Sequence, residues 1–72
     1  MNQKPTLVQL LNHHHVTMAH IAKAAQVQRN TVYAMVQGRP VPLSLARQVL
    51  AGLSRLAGVT YRLQDIQITI FE

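Results

Sequence analysis

The chain contains no cysteine and no tryptophan, and only two of its 72 residues are acidic. Without cysteine there is neither a disulfide framework nor a thiolate zinc site, so a domain this short has to rest on its apolar core. Hydrophobic residues make up 49% of the chain, enough to supply one. No run approaches the roughly 18 apolar residues of a membrane span, and the N-terminus lacks the apolar stretch of a secretion signal. The expectation is a single cytoplasmic domain with no membrane partner. The scarcity of acids also argues against an enzyme. Both carboxylates, Asp65 and Glu72, fall near the C-terminus, and no histidine has an acidic partner nearby in sequence. No acid–base or nucleophilic constellation can be assembled from these residues, and no cofactor is expected.

Positive charge is present throughout. Lys4, Lys23, Arg29, Arg39, Arg47, Arg55 and Arg62 all precede the first acid, and the formal net charge is +5. A carboxylate-free surface attracts polyanions, and phosphate neutralisation with counterion release supplies salt-dependent affinity. Only Tyr33, Tyr61 and Phe71 are aromatic. They form no stacking platform for single-stranded RNA, which favours duplex DNA as the polyanion.

Residues 17–38, TMAHIAKAAQVQRNTVYAMVQG, organise the chain. They read as a helix over 17–25, a tight turn, and a second helix over 28–37. Ile21, Ala22, Ala25, Val27, Val32 and Met35 are spaced to pack across the turn, with Ala22 small where the helices approach. Thr17 can cap the first helix, Gly38 suits a left-handed helix end, and Pro40 prevents continuation. The second helix carries Arg29, Asn30, Thr31, Tyr33 and Gln37 outward, a face without negative charge.

This stretch, with Arg39-Pro40-Val41-Pro42-Leu43 after it, resembles the helix-turn-helix of the lambda-repressor/Cro (XRE-type) DNA-binding regulators over about residues 5–66. The pattern consists of a Thr cap, the Ile21-Ala22 pair, small Ala25, a turn ending in Val27, aliphatic Val32 and closing Gly38. Two positions depart from it. Gln26 stands where the family has a turn glycine, and Gln28 where it has a Ser or Thr cap. A non-glycine residue in left-handed geometry costs roughly 1 kcal/mol, and the poorer cap costs a similar amount.

The resemblance implies a mainly α fold, a compact bundle of four to five helices around the central helix-turn-helix. It places Arg29 and Asn30 at the base-reading first turn of the recognition helix, with Tyr33 and Ala34 one turn later. Arg can bind guanine and Asn adenine bidentately, whereas Ala34 offers only methyl contact. Backbone contacts are expected from Thr17 and Met18 at a helix N-terminus, and from Gln28, Thr31, Gln37 and Arg39. The implied activity is transcriptional regulation, as a repressor, through an inverted-repeat operator. With no separate sensor domain, control would come from abundance, proteolysis or a partner protein.

Around this motif, residues 5–14 form a first helix with Leu7, Leu10, Leu11 and His14 on one side. The resemblance implies a helix-ending glycine position at His15, and histidine tolerates left-handed geometry better than most residues. The run His13-His14-His15, with His20 nearby, does not make a metal site. Successive helical residues point about 100° apart and no carboxylate or cysteine completes a ligand set. The histidines are read as solvated residues that lend DNA binding some pH sensitivity. Residues 38–43 form a proline-stiffened loop. A fourth helix runs from 43 or 44 to 57 with Leu45, Val49, Leu53 and Leu56 as its buried stripe, and Gly58 ends it. A short fifth helix is expected over 61–66.

The tail, residues 66–72, alternates β-branched and polar residues and favours a short strand, although Leu63, Ile66 and Ile70 also fit a helical stripe. A lone strand needs a partner. Ile66, Ile68, Ile70 and Phe71 are therefore candidates for a homodimer interface, an antiparallel ribbon across a two-fold axis. The other possibility is a tail packed on its own core. A different functional class also fits: an antitoxin-type or adaptor subunit that uses the same fold to bind a toxin or other protein.

Overall fold

A computed structural model describes residues 3–71 of the chain. Four helices, α1 (Leu7–His13), α2 (Met18–Ala25), α3 (Arg29–Val36) and α4 (Leu43–Ala57), surround one core. Two short strands, β1 (Val41–Pro42) and β2 (Ile70–Phe71), pair in parallel, with Val41 opposite Ile70 and Pro42 opposite Phe71. The fold is thus mainly helical with a small two-stranded sheet.

Helix starts follow local chemistry. The Thr6 hydroxyl accepts from the Gln9 amide at 3.2 Å while the Gln9 side chain accepts from the Thr6 amide at 2.9 Å. This reciprocal pair satisfies two amides that the helix itself leaves free. It also sets the start of α1 two residues beyond Pro5. Thr17 caps α2, its Oγ1 accepting from the His20 amide at 3.1 Å. Gln28 precedes α3 in extended geometry and makes no side-chain capping bond.

Three helices end by one device. His15, Gln26 and Gly38 are left-handed, with φ of 56°, 58° and 78°. In each case the next residue's amide reaches back five positions: Val16 to Leu11 at 2.9 Å, Val27 to Ala22 at 3.0 Å, and Arg39 to Ala34 at 2.9 Å. These bonds occupy carbonyls that have no partner within the helix. Only the third position is glycine. His15 and Gln26 hold the same geometry against a local penalty of about 1–2 kcal/mol each, offset by the packing that the turns allow.

That packing centres on Leu7, Ile21, Val32, Val49 and Leu53, all essentially inaccessible to solvent. α4 supplies Ala46, Val49, Leu50, Gly52 and Leu53 to it. The buried stripe is rotated from the expected one. Leu45 is half-buried and Leu56 is 45% exposed, because Gly52 lets α4 lie close against Ala25 of α2 and Ala46 turns inward. Gly58 ends α4 in left-handed geometry at φ 72°.

The expected fifth helix reduces to a single 3-10 turn, Leu63–Asp65. Residues 38–43, read as a loop, include β1, which receives the tail: the Val41 amide donates to the Thr69 carbonyl at 3.1 Å. Before that, Gln67 donates to the Pro5 carbonyl at 2.8 Å beside a parallel bridge to Thr6. Pro42 has no amide to extend the ladder. The tail is a strand, but its partner lies in its own chain, and the pairing is parallel. Of the four residues assigned to an intersubunit ribbon, Ile66 is a core residue at 2% exposure. Ile68 and Ile70 are half-buried against the core, and only Phe71 stands out into solvent. Glu72 lies outside the described residues.

Candidate nucleic-acid interface

α3 is anchored by Val32 and Met35, which are buried, so its opposite side faces solvent. Arg29, Asn30, Tyr33 and Gln37 are all exposed. At 100° per residue they fall within an arc of about 100°. This face combines a guanidinium, a carboxamide, a phenol and a second amide group. All can donate hydrogen bonds, and none carries negative charge. Tyr33 is 47% exposed, its ring available for apolar contact.

The other expected base-reading residue, Ala34, is half-buried and packed against the core. It sits at the margin of the exposed arc, so its methyl is the least accessible of the four. Thr31 is also half-buried, on the other side of the helix from Tyr33.

The flanks are set by backbone geometry. Thr17 is exposed, and its oxygen, already accepting from the His20 amide, leaves the hydroxyl proton free to donate outward. The first amides of α2 have no intrahelical acceptor, which favours an anion there. Met18 is half-buried against the core, so only its backbone suits that role. Gln28, Gln37 and Arg39 are exposed at the two ends of α3. Gly38 bends the chain so that Arg39 follows directly on the end of the helix.

The histidine run divides. His13 and His15 are exposed, whereas His14 turns inward and its Nε2 shares a hydrogen bond of 2.6 Å with the Tyr61 hydroxyl. Among the described residues no three histidine, aspartate or glutamate side chains come together as a metal ligand set. The single carboxylate side chain within residues 3–71, Asp65, accepts from the Arg62 amide at 3.0 Å. A second cationic group escaped notice in the sequence. Arg47, Arg55 and Arg62 surround a groove whose walls include no residue of α3. The first two are eight positions apart on one helix, a spacing that could have signalled them; the third joins them only through the fold.

Comparison with protein-family models, with curated proteins and with solved structures returned no match. Among the described residues no helix is long and apolar enough to cross a membrane.

Proposed function

We propose that this protein is a sequence-specific double-stranded DNA-binding transcription regulator, a repressor that reads the major groove through α3. The observation that carries the reading is the α3 face: Arg29, Asn30, Tyr33 and Gln37 share one exposed arc on a helix held from behind by Val32 and Met35. A rigid helix of this width fits the B-DNA major groove, with its N-terminal residues at the base edges. Arg29 and Asn30 read bases, and Tyr33 packs on a thymine methyl or donates to a phosphate. Thr17, the α2 N-terminus, Gln28, Gln37 and Arg39 hold the backbone. The resemblance of residues 17–38 to lambda-repressor/Cro regulators supports the same assignment.

Operation as a homodimer on an inverted repeat remains part of this proposal, with a changed interface. Among the described residues, each strand of the two-stranded sheet has one side without a strand partner. A second copy would meet β2 there, with Phe71 as the exposed anchor, rather than through a ribbon that includes Ile66.

A second reading, a subunit that binds a partner protein, is favoured by Leu56, Val59 and Phe71, large apolar side chains about half-exposed. Selection of bound duplexes from a random DNA pool at physiological salt separates the two. Enrichment of an inverted repeat with half-sites about one helical turn apart supports the dimeric regulator. A single enriched half-site retains the regulator and removes the dimer. Salt-sensitive binding without enrichment favours the partner-binding subunit.

A further inference from the structure

Between α4 and the returning segment 60–64 lies an open groove of about 730 Å³. Arg47 and Arg55 border it from α4, and Arg62 stands on the facing wall. Eight helical positions separate the first two, a rise of about 12 Å. Ala51 and Leu63 contribute apolar surface beside the cations, over the buried Leu50, and among the described residues no carboxylate lines the groove. All three arginines are exposed. Arg55 makes one weak contact, Nη1 to the Ala24 carbonyl at 3.5 Å, at the outer limit of a hydrogen bond. Asp65, the nearest acid in sequence, accepts from the backbone amide of Arg62, not from its guanidinium.

We infer that this groove binds a small organic anion, an apolar ring or chain bearing acidic oxygens of the phosphate-monoester or carboxylate kind. The volume lies in the range of small-ligand clefts, about 300–1,000 Å³. Guanidinium forks suit phosphate and carboxylate oxygens bidentately. The apolar surface beside them distinguishes the ligand from bare phosphate and from a DNA backbone, neither of which would fill it. The site stands apart from the DNA-reading proposal: no residue of α3 borders the groove, so each assignment can fail alone.

The test titrates the isotope-labelled full chain by NMR with phenyl phosphate, isophthalate and inorganic phosphate. The expected result is saturable shifts at Ala51, Ser54, Arg55, Tyr61, Arg62 and Leu63 with at least one organic probe. Inorganic phosphate should bind at least about tenfold more weakly, and a double Arg47→Gln/Arg62→Gln variant should lose at least about tenfold in affinity for that probe. An unchanged thermal melt would show that the variant is folded; if it melts lower, Arg47→Lys and Arg62→Lys, which keep charge but lose the fork, replace it with the same expectation of loss. Equal binding of inorganic phosphate, shifts spread evenly over Arg29 and Arg39, or undiminished affinity in the variants would overturn the inference. So would failure of both organic probes to saturate, and in that case binding of an acidic peptide would reassign the groove to a protein partner.

Discussion

A Cβ added to Gly52 would lie 2.8 Å from the backbone nitrogen of Ala25 and 2.9 Å from its Cβ. α2 and α4 therefore come into tight contact where one residue has no side chain and the other only a methyl. The contact joins the last residue of α2 to the middle of α4, directly before the turn that aims α3.

Gly52→Ala should consequently destabilise the fold, even though alanine is the better helix former by about 1 kcal/mol. Overpacking against backbone costs typically about 1–3 kcal/mol, and Gly52→Val should cost more. Thermal melting should fall by several degrees for alanine, since 1 kcal/mol shifts a domain of this size by about 4–8 °C. A melt at or above that of the parent would show that the helices separate easily.

The tail supplies a paired test of core against surface. Ile66→Ala removes a fully buried side chain and should cost about 2–5 kcal/mol. Phe71→Ser should leave monomer stability within about 0.5 kcal/mol, because half of that side chain is already in solvent. If Phe71 anchors a second copy, the same substitution shifts sedimentation towards monomer. Equal melting losses in the two variants would contradict the placement of the tail.

Tyr61→Phe removes the hydroxyl that shares a 2.6 Å hydrogen bond with His14. The expected loss is about 0.5–1.5 kcal/mol, read by chemical denaturation. His14→Ala should cost at least as much, because it also deletes the edge-on ring contact at 5.8 Å. A double variant that loses no more than the larger single loss would confirm that the two residues act as a pair.

Gln28→Ser should stabilise the chain. Gln28 occupies the capping position of α3 in extended geometry without a side-chain bond to the helix, and a serine there can accept from a first-turn amide for roughly 0.5–1 kcal/mol. A lower denaturation midpoint would mean that Gln28 has a structural role in its native form.

Arg29→Ala and Arg39→Ala divide the proposed DNA interface by role. Loss of a base-reading arginine should cost about 1–3 kcal/mol on the cognate site and relax preference at one base pair. Loss of Arg39 should weaken all duplexes alike and reduce the salt dependence by about one ion. Equal losses for Arg29→Ala on cognate and scrambled duplexes would remove it from base reading.

Several features were legible in the sequence because their causes are local. Thr17, Gly38 and Gly58 mark helix ends through capping and left-handed geometry that depend on a few neighbouring residues. The left-handed turns at His15 and Gln26 lie where the resemblance to the helix-turn-helix regulators implied a glycine, and both hold that geometry without one. Helical periodicity identified Ile21, Ala22, Ala25, Val32 and Met35 as buried, and therefore the outward side of α3, since a helix with one side occupied has to present the other.

What the linear chain left open depended on partners distant in sequence. The stripe of α4 turned on the close approach of Gly52 to Ala25, which brings Ala46 and Leu50 inward and leaves Leu56 at the surface. The tail alternated as a strand, but alternation does not name the partner of a strand. Val41, nearly thirty residues upstream between two prolines, carried no strand signal of its own. Only burial of Ile66, together with the free backbone groups at Pro5 and Val41, selects pairing within the chain. The groove of Arg47, Arg55 and Arg62 arises in the same way: the first two cations share a helix, and the fold alone returns the third to face them.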